Sequence, residues 1–153
     1  MADRSDAPAR RSAAAPRPQG RYVTATIHDG IAYSAGMTPR VDGVLVLQGI
    51  VGDAVTAAQA RDLAAIAAGN ALAAIADVAG GLDNIACCLR MTVYVAAVAE
   101  FTGHTIVADG ASEALNASLG DRGSVARSAI GVASLPSGAP VEVELTVAVR
   151  GAT

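Results

Sequence analysis

Three charged residues stand in the otherwise apolar stretch VARSAIGVASLPSGAPVEVELTVAV, residues 125–149: Arg127, Glu142 and Glu144. Burying a charge costs free energy unless the charge is paired or hydrogen-bonded, so charges within strand-like segments need an explanation. One explanation is a structural ion pair on a solvent-facing side of a sheet. The other is a small pocket in which the arginine binds an anion and a carboxylate acts beside it.

The chemistry open to this cluster follows from its side chains. The planar guanidinium group binds a carboxylate through two parallel hydrogen bonds. A neighbouring glutamate can align a water molecule and accept its proton, which is what a hydrolysis reaction requires. Glu142 and Glu144 share one face of a strand because side chains alternate, and a tight hairpin through residues 135–138 would place Arg127 almost opposite Glu144. A connection that skips over a neighbouring strand would weaken that inference.

The elements that must position this cluster can be predicted from local patterns. The segment from Thr56 to about Ala79 is predicted as a helix, because Thr56 and Gln59 match a capping box and two glycines follow the last turn. Asn70 lies in the apolar face of this helix and is expected to form hydrogen bonds with backbone groups. A second helical region is predicted from Glu100 to Leu119, with an interruption at residues 109–110. Strands are predicted at 22–27, 31–35 (joined by an HDG turn), 44–47, 85–97, 122–134 and 140–149.

This order predicts an α+β fold, in which two helices pack on one face of a mixed six-stranded sheet. The chain has 153 residues, enough for one domain. Residues 1–20 are rich in proline and lack large apolar side chains, so they are predicted to be a disordered or loosely attached tail. Residues 21–150 are predicted to form a single domain. Its core is expected to consist of leucine, isoleucine and valine around close contacts between alanines, and because such a core is thin, further surface is expected to be buried between subunits.

Composition excludes several classes of function. All eleven basic residues are arginine, so Schiff-base chemistry on a lysine is excluded. Residues 21–153 carry seven arginines against twelve acids and few aromatic side chains, so no nucleic-acid partner is expected. His28 and His104 have no partner at ligand spacing, so no metal site is expected. Neighbours on a strand point to opposite faces, so the adjacent residues Cys87 and Cys88 are not expected to form a disulfide with each other.

Targeting signals are also lacking in the sequence. It contains neither a secretory signal pattern nor an apolar run of membrane-spanning length. A cytoplasmic location without a membrane partner is therefore expected.

Four segments resemble the YjgF/RidA family, also known as the L-PSP endoribonuclease family: IAYSAGMTP, LRMTVYV followed by AEF, ARSAIGVASLP, and VEVELTVAV. The resemblance covers about residues 21 to 150 and is closer to a divergent branch than to the central deaminase group. It implies a chorismate-mutase-like fold and a homotrimer with clefts between subunits. It also implies hydrolysis of reactive 2-imino or enamine acids, made by other enzymes, to 2-keto acids and ammonia without a cofactor.

The resemblance assigns the reaction to two residues. Arg127 matches an arginine of the penultimate strand and would hold the substrate carboxylate. Glu144, the second glutamate of the last strand, would position the attacking water. Glu142 would then be a solvent or inter-subunit contact. Substrate-binding positions are implied for Tyr22, Gly36, Ala129 and Thr105.

This chain departs from the family pattern at some of these positions. Ala35 replaces a serine that often precedes Gly36, Ala129 replaces a cysteine, and a short insertion precedes Arg127. Two other functions therefore stay open. One is a non-catalytic module that binds a small carboxylate in the same cleft. The other is an endoribonuclease. This function is disfavoured by the net negative charge of residues 21–153 and by the lack of a paired histidine.

Overall fold

The computed structural model describes residues 14–151, so the part of the predicted tail that covers 1–13 lies outside the described residues. Residues 14–20 contain no helix or strand. The elements follow in the order β1 (Ala25–His28), β2 (Ile31–Ser34), β3 (Arg40–Val41), β4 (Val44–Leu45), α1 (Ala57–Ala79), β5 (Ile85–Ala96), α2 (His104–Leu119), β6 (Ala126–Val132) and β7 (Val141–Val149). The predicted α+β order is confirmed, with β3 as an additional short strand.

Among residues 14–151, the main sheet has five strands, in the order β1-β2-β7-β5-β6, and not the six that were predicted. The strands β3 and β4 form a separate two-stranded ribbon. Its two-residue turn has positive φ at both Asp42 (52°) and Gly43 (81°), which folds the ribbon tightly on itself. Asn70 of α1 donates hydrogen bonds from Nδ2 to the carbonyl oxygens of Thr38 and Arg40, at 3.1 and 3.0 Å. The expected hydrogen bonding of Asn70 to backbone groups is thus confirmed, and it attaches the segment that leads into the ribbon to α1.

The strands β6 and β7 are not neighbours, because β5 lies between them. The crossover through α2 places β6 parallel to β5, so β7 pairs with the other edge of β5 in the antiparallel direction. Arg127 lies opposite Met91, whereas Glu144 lies opposite Thr92. Since successive residues of a strand point to opposite faces, Arg127 and Glu144 point to opposite sides of the sheet. The prediction that a tight hairpin pairs them is wrong.

Both helices cover the same face of the sheet. Alternate residues of β7 are buried under them, namely Val141, Val143, Leu145 and Val147. Contrary to the prediction that no apolar run of membrane-spanning length occurs, the helix α1 is long and apolar enough to cross a membrane, but 56% of its apolar window is buried inside this fold. It therefore serves as the core helix. The capping box predicted for Thr56 and Gln59 is present at its start.

Gly110 allows the two helices to pack closely. The helix α2 continues through Asp109 and Gly110, so the predicted interruption there is wrong. A Cβ atom on Gly110 would clash with the carbonyl oxygen of Arg61 in α1 and would lie only 2.8 Å from the carbonyl carbon. Glycine is thus needed for contact between backbones and does not break the helix.

Replacing Gly110 by alanine tests this contact. Because the clash is with backbone, which cannot rotate away, Gly110→Ala should lower the free energy of unfolding by roughly 1–3 kcal/mol. Gly69→Ala is the matched control, because Gly69 is also helical but has open space where a Cβ atom would lie. That control should be neutral or stabilising by up to about 1 kcal/mol. Chemical denaturation measures both, and equal effects of the two substitutions would contradict the close packing.

Candidate functional site

A pocket of about 300 Å³ lies between residues 19–22, the segment that follows β2, and the connection into β7. Its lining includes Tyr22 and Gly36, two of the residues predicted to bind substrate. The carboxylate in its wall belongs to Glu142 and not to the predicted Glu144. Arg40 and Ser137 complete its polar lining. A second cavity of about 380 Å³ beside the end of α1 is lined by alanine, glycine and Asp77, and contains no predicted site residue.

Gly36 is held against Glu142 by the backbone next to it. Met37 and Val143 exchange two hydrogen bonds, from Met37 N to Val143 O at 2.8 Å and from Val143 N to Met37 O at 2.9 Å. This bridge lays the chain that leaves β2 across the start of β7. A Cβ atom on Gly36 would clash with the Glu142 carboxylate, being 2.7 Å from its Cδ. The carboxylate therefore fits against the glycine only because there is no side chain.

The two carboxylates have different environments. Glu144 accepts a hydrogen bond of 2.9 Å from the Tyr94 hydroxyl, and burial together with that bond raises the pKa of Tyr94. Within residues 14–151, no donor is in hydrogen-bond contact with the Glu142 carboxylate. Burial raises the pKa of Glu142, and the nearby charge of Glu144 raises it further. A carboxylate with a raised proton affinity at the wall of a pocket is suited to accept a proton from water.

Arg127 lies outside this pocket, on the helix side of the sheet. It donates from Nη1 to Ser112 Oγ at 2.8 Å and from Nη2 to Asp109 Oδ1 at 2.7 Å. A further bond of 3.2 Å joins Nη2 to the carbonyl oxygen of Thr105. Its side chain is 20% exposed. Ala129 lies two residues further along β6 on the same face, so three predicted residues gather here, apart from Tyr22 and Gly36.

The family model described as Endoribonuclease L-PSP matches residues 12–149. The chain belongs to the L-PSP family, which is the YjgF/RidA family of the resemblance. "Protein TCP17" of Trypanosoma cruzi is 30% identical over 135 residues, which cover 88% of this chain and 84% of that protein.

Two solved structures share the fold. Protein Atu1372 of Agrobacterium tumefaciens, a protein of unknown function, is 36% identical with a TM-score of 0.82, over 85% of this chain and 82% of that one. The YjgF gene product of E. coli is 26% identical with a TM-score of 0.61, over 89% and 93%. The α+β architecture of this L-PSP family member, with two helices and a mixed sheet, is therefore shared with these structures.

Two residues that line the pocket of this L-PSP protein, Glu142 and Arg40, were not predicted from the sequence as site residues. Glu142 and Glu144 share one strand face, so alternation cannot say which of them reaches the pocket. Arg40 directly follows the SAGMTP segment, which contains Gly36. This position next to a predicted site residue could have indicated that Arg40 also lines the pocket. His104 is half-buried and packs edge-on against Phe101 with ring centroids 5.1 Å apart. Both cysteines are free, as expected.

Replacing Glu142 by glutamine tests the environment of its carboxyl group. The pKa of this group is raised above its usual value of 4.5, so its contribution to stability is fully present below pH 4.5 and is lost as the pH rises through the folded pKa. Glu142→Gln removes the ionisation. The variant should therefore melt higher than the wild type at pH 7–8, and the difference should shrink toward pH 4.

Thermal unfolding across this pH range is the measurement, and Glu100→Gln at an exposed position is the control. A Glu142→Gln variant that is no more stable than the wild type at pH 8 would contradict a half-buried carboxylate without a hydrogen-bond donor among residues 14–151.

Proposed function

We propose that this protein hydrolyses a reactive 2-imino or enamine acid to a 2-keto acid and ammonia, in a cleft between the subunits of a homotrimer. The observation that carries the proposal is the Glu142 carboxylate, which has no hydrogen-bond donor among the described residues and lies against Gly36 in a small pocket. Tyr22 in the same wall supplies a face against which a small ligand can rest. Membership of the YjgF/RidA family supports the same reaction.

The reaction needs one water and one proton carrier. Glu142 accepts a proton as the water oxygen bonds to the carbon of the protonated imine, giving a neutral tetrahedral carbinolamine. It then returns this proton to nitrogen, and the carbon–nitrogen bond breaks with its electron pair leaving on ammonia. The carbonyl group forms as the hydroxyl proton passes to the Glu142 carboxylate and from there to solvent. Because nothing is oxidised or reduced, no redox cofactor enters this balance. The work of the protein is orientation of the water and proton transfer.

The second component of the cleft is Arg127 of a neighbouring subunit, which would hold the substrate carboxylate. Within one chain, Arg127 points to the helix side and Glu142 to the open side, so one chain alone does not bring them together. The open face of the sheet carries the apolar side chains of Tyr33 and Ile130, which are 49% and 42% exposed. Exposed apolar groups on a sheet face favour association with another copy. Asp109 and Ser112 would hold the guanidinium in a fixed orientation, with two of its five N–H groups left for the ligand.

One observation favours a second candidate function. The charge of Arg127 is already balanced by Asp109, which weakens its attraction for a substrate. The pocket would then bind a small carboxylate through Arg40 without turning it over. No arrangement of the described residues favours an endoribonuclease, because neither His28 nor His104 lines the pocket.

Imine hydrolysis in a coupled assay tests the proposal. An amino-acid oxidase generates 2-imino acids of several side-chain sizes, and their decay is followed with and without this protein. The wild type should accelerate the decay. Glu142→Gln should lose roughly 100-fold or more, which is typical for loss of a general base. Glu144→Gln removes the same charge from the same strand face and should keep activity within about tenfold, since the Glu144 carboxylate is already bound to Tyr94.

Two results would contradict the proposal. No acceleration of any imine by the wild type would leave the pocket as a binding site. An equal loss in the two glutamine variants would show that Glu142 has no special role.

A further inference from the structure

We propose that Arg40 binds an anionic side-chain group of the ligand, so that the pocket selects 2-imino and 2-keto acids that carry a second carboxylate. The inference rests on the proposed function for the reaction, but the binding preference can be measured without turnover. Its basis is the geometry of the Arg40 guanidinium and its position in the pocket relative to Glu142.

The Arg40 guanidinium is fixed by three neutral acceptors. Nε donates to Thr38 Oγ1 at 3.2 Å, Nη1 to the carbonyl oxygen of Gly43 at 3.0 Å, and Nη2 to Ser137 Oγ at 3.0 Å. No carboxylate of residues 14–151 forms an ion pair with it, in contrast to Arg61 and Arg127. Its positive charge is therefore held in place without a counter-charge. One N–H group on each Nη stays available for a ligand.

The backbone that carries Arg40 is fixed as well. Its carbonyl oxygen and that of Thr38 both accept hydrogen bonds from Asn70 on the core helix α1. Pro39 restricts the chain between them. Most of the conformational entropy that a long side chain loses on binding an anion has therefore already been lost on folding. A cation ordered in this way binds a carboxylate more tightly than a mobile surface arginine does.

Arg40 and Glu142 line the same pocket without forming an ion pair. The whole pocket has a volume of about 300 Å³, at the small end of ligand-binding cavities. A ligand with a positive iminium group would lie toward Glu142, and a negative group on its side chain would reach Arg40. If Arg127 of a neighbouring subunit holds the 2-carboxylate, then Arg40 is left for the second one. A small imino acid with two carboxylates would match the charges of Glu142, Arg40 and the Arg127 of a neighbouring subunit.

Binding of stable product analogues tests the inference apart from catalysis. Isothermal titration compares 2-oxoglutarate with 2-oxopentanoate, which has the same number of carbons but no second carboxylate. The wild type should bind 2-oxoglutarate at least about tenfold more tightly, as expected for one charge-assisted pair. Arg40→Gln should abolish the difference by weakening 2-oxoglutarate alone. Arg150→Gln is the control, because this exposed arginine binds the Asp83 carbonyl outside the pocket.

If Arg40→Gln fails to fold, Ser137→Ala serves instead, since it removes only one of the bonds that orient the guanidinium. It should reduce the preference for 2-oxoglutarate by a smaller factor. Equal binding of the two acids by the wild type would overturn the inference. So would an equal loss of both acids in Arg40→Gln, because that result would show that Arg40 holds the 2-carboxylate. Either result can occur while imine hydrolysis is intact. Conversely, a preference for dicarboxylates can occur without hydrolysis. The proposed reaction and the proposed ligand preference can therefore fail independently.

Discussion

The pair of backbone hydrogen bonds between Met37 and Val143 determines the form of the candidate site. Both residues are buried, at 6% and 0% exposure, so the bridge lies inside the core and is not exposed to exchange with water. It holds Gly36 against Glu142 and directs the next residues toward α1. There Asn70 binds the carbonyls on either side of Pro39. One contact between distant parts of the chain thus places the glycine, the carboxylate and Arg40 around a common space.

The sheet divides the remaining charges between its faces. Arg127 lies on the helix side, where Asp109 and Ser112 bind it, while Glu142 and Glu144 lie on the open side. An arginine on the edge strand β6 and a glutamate on the central strand β7 can join in one cleft only if a second chain approaches. The open face, with its exposed tyrosine and isoleucine, is a surface suited to that approach. Assembly and chemistry are therefore linked in this account.

Local signals in the sequence predicted most of the fold. The capping box at Thr56, the glycines after Ala79 and the alternation in the last strand depend on neighbouring residues, so the helix α1 and the strand β7 could be predicted from them. The failures come from contacts between distant segments. Two features depend on the tertiary arrangement: β5 separates β6 from β7, and Gly110 packs on the backbone of α1. The choice between Glu142 and Glu144 depends on the Met37–Val143 bridge, which has no local signature.

A mixed-subunit experiment tests most directly whether Glu142 and Arg127 act together across a subunit boundary. Chains with Glu142→Gln and chains with Arg127→Ala are co-expressed in equal amounts, and imine hydrolysis is compared with that of each variant alone. If each cleft of a trimer takes Glu142 from one chain and Arg127 from the next, every mixed trimer contains one intact cleft. Random assembly should then restore about one quarter of the wild-type activity. Activity no higher than that of the single variants would contradict a shared cleft.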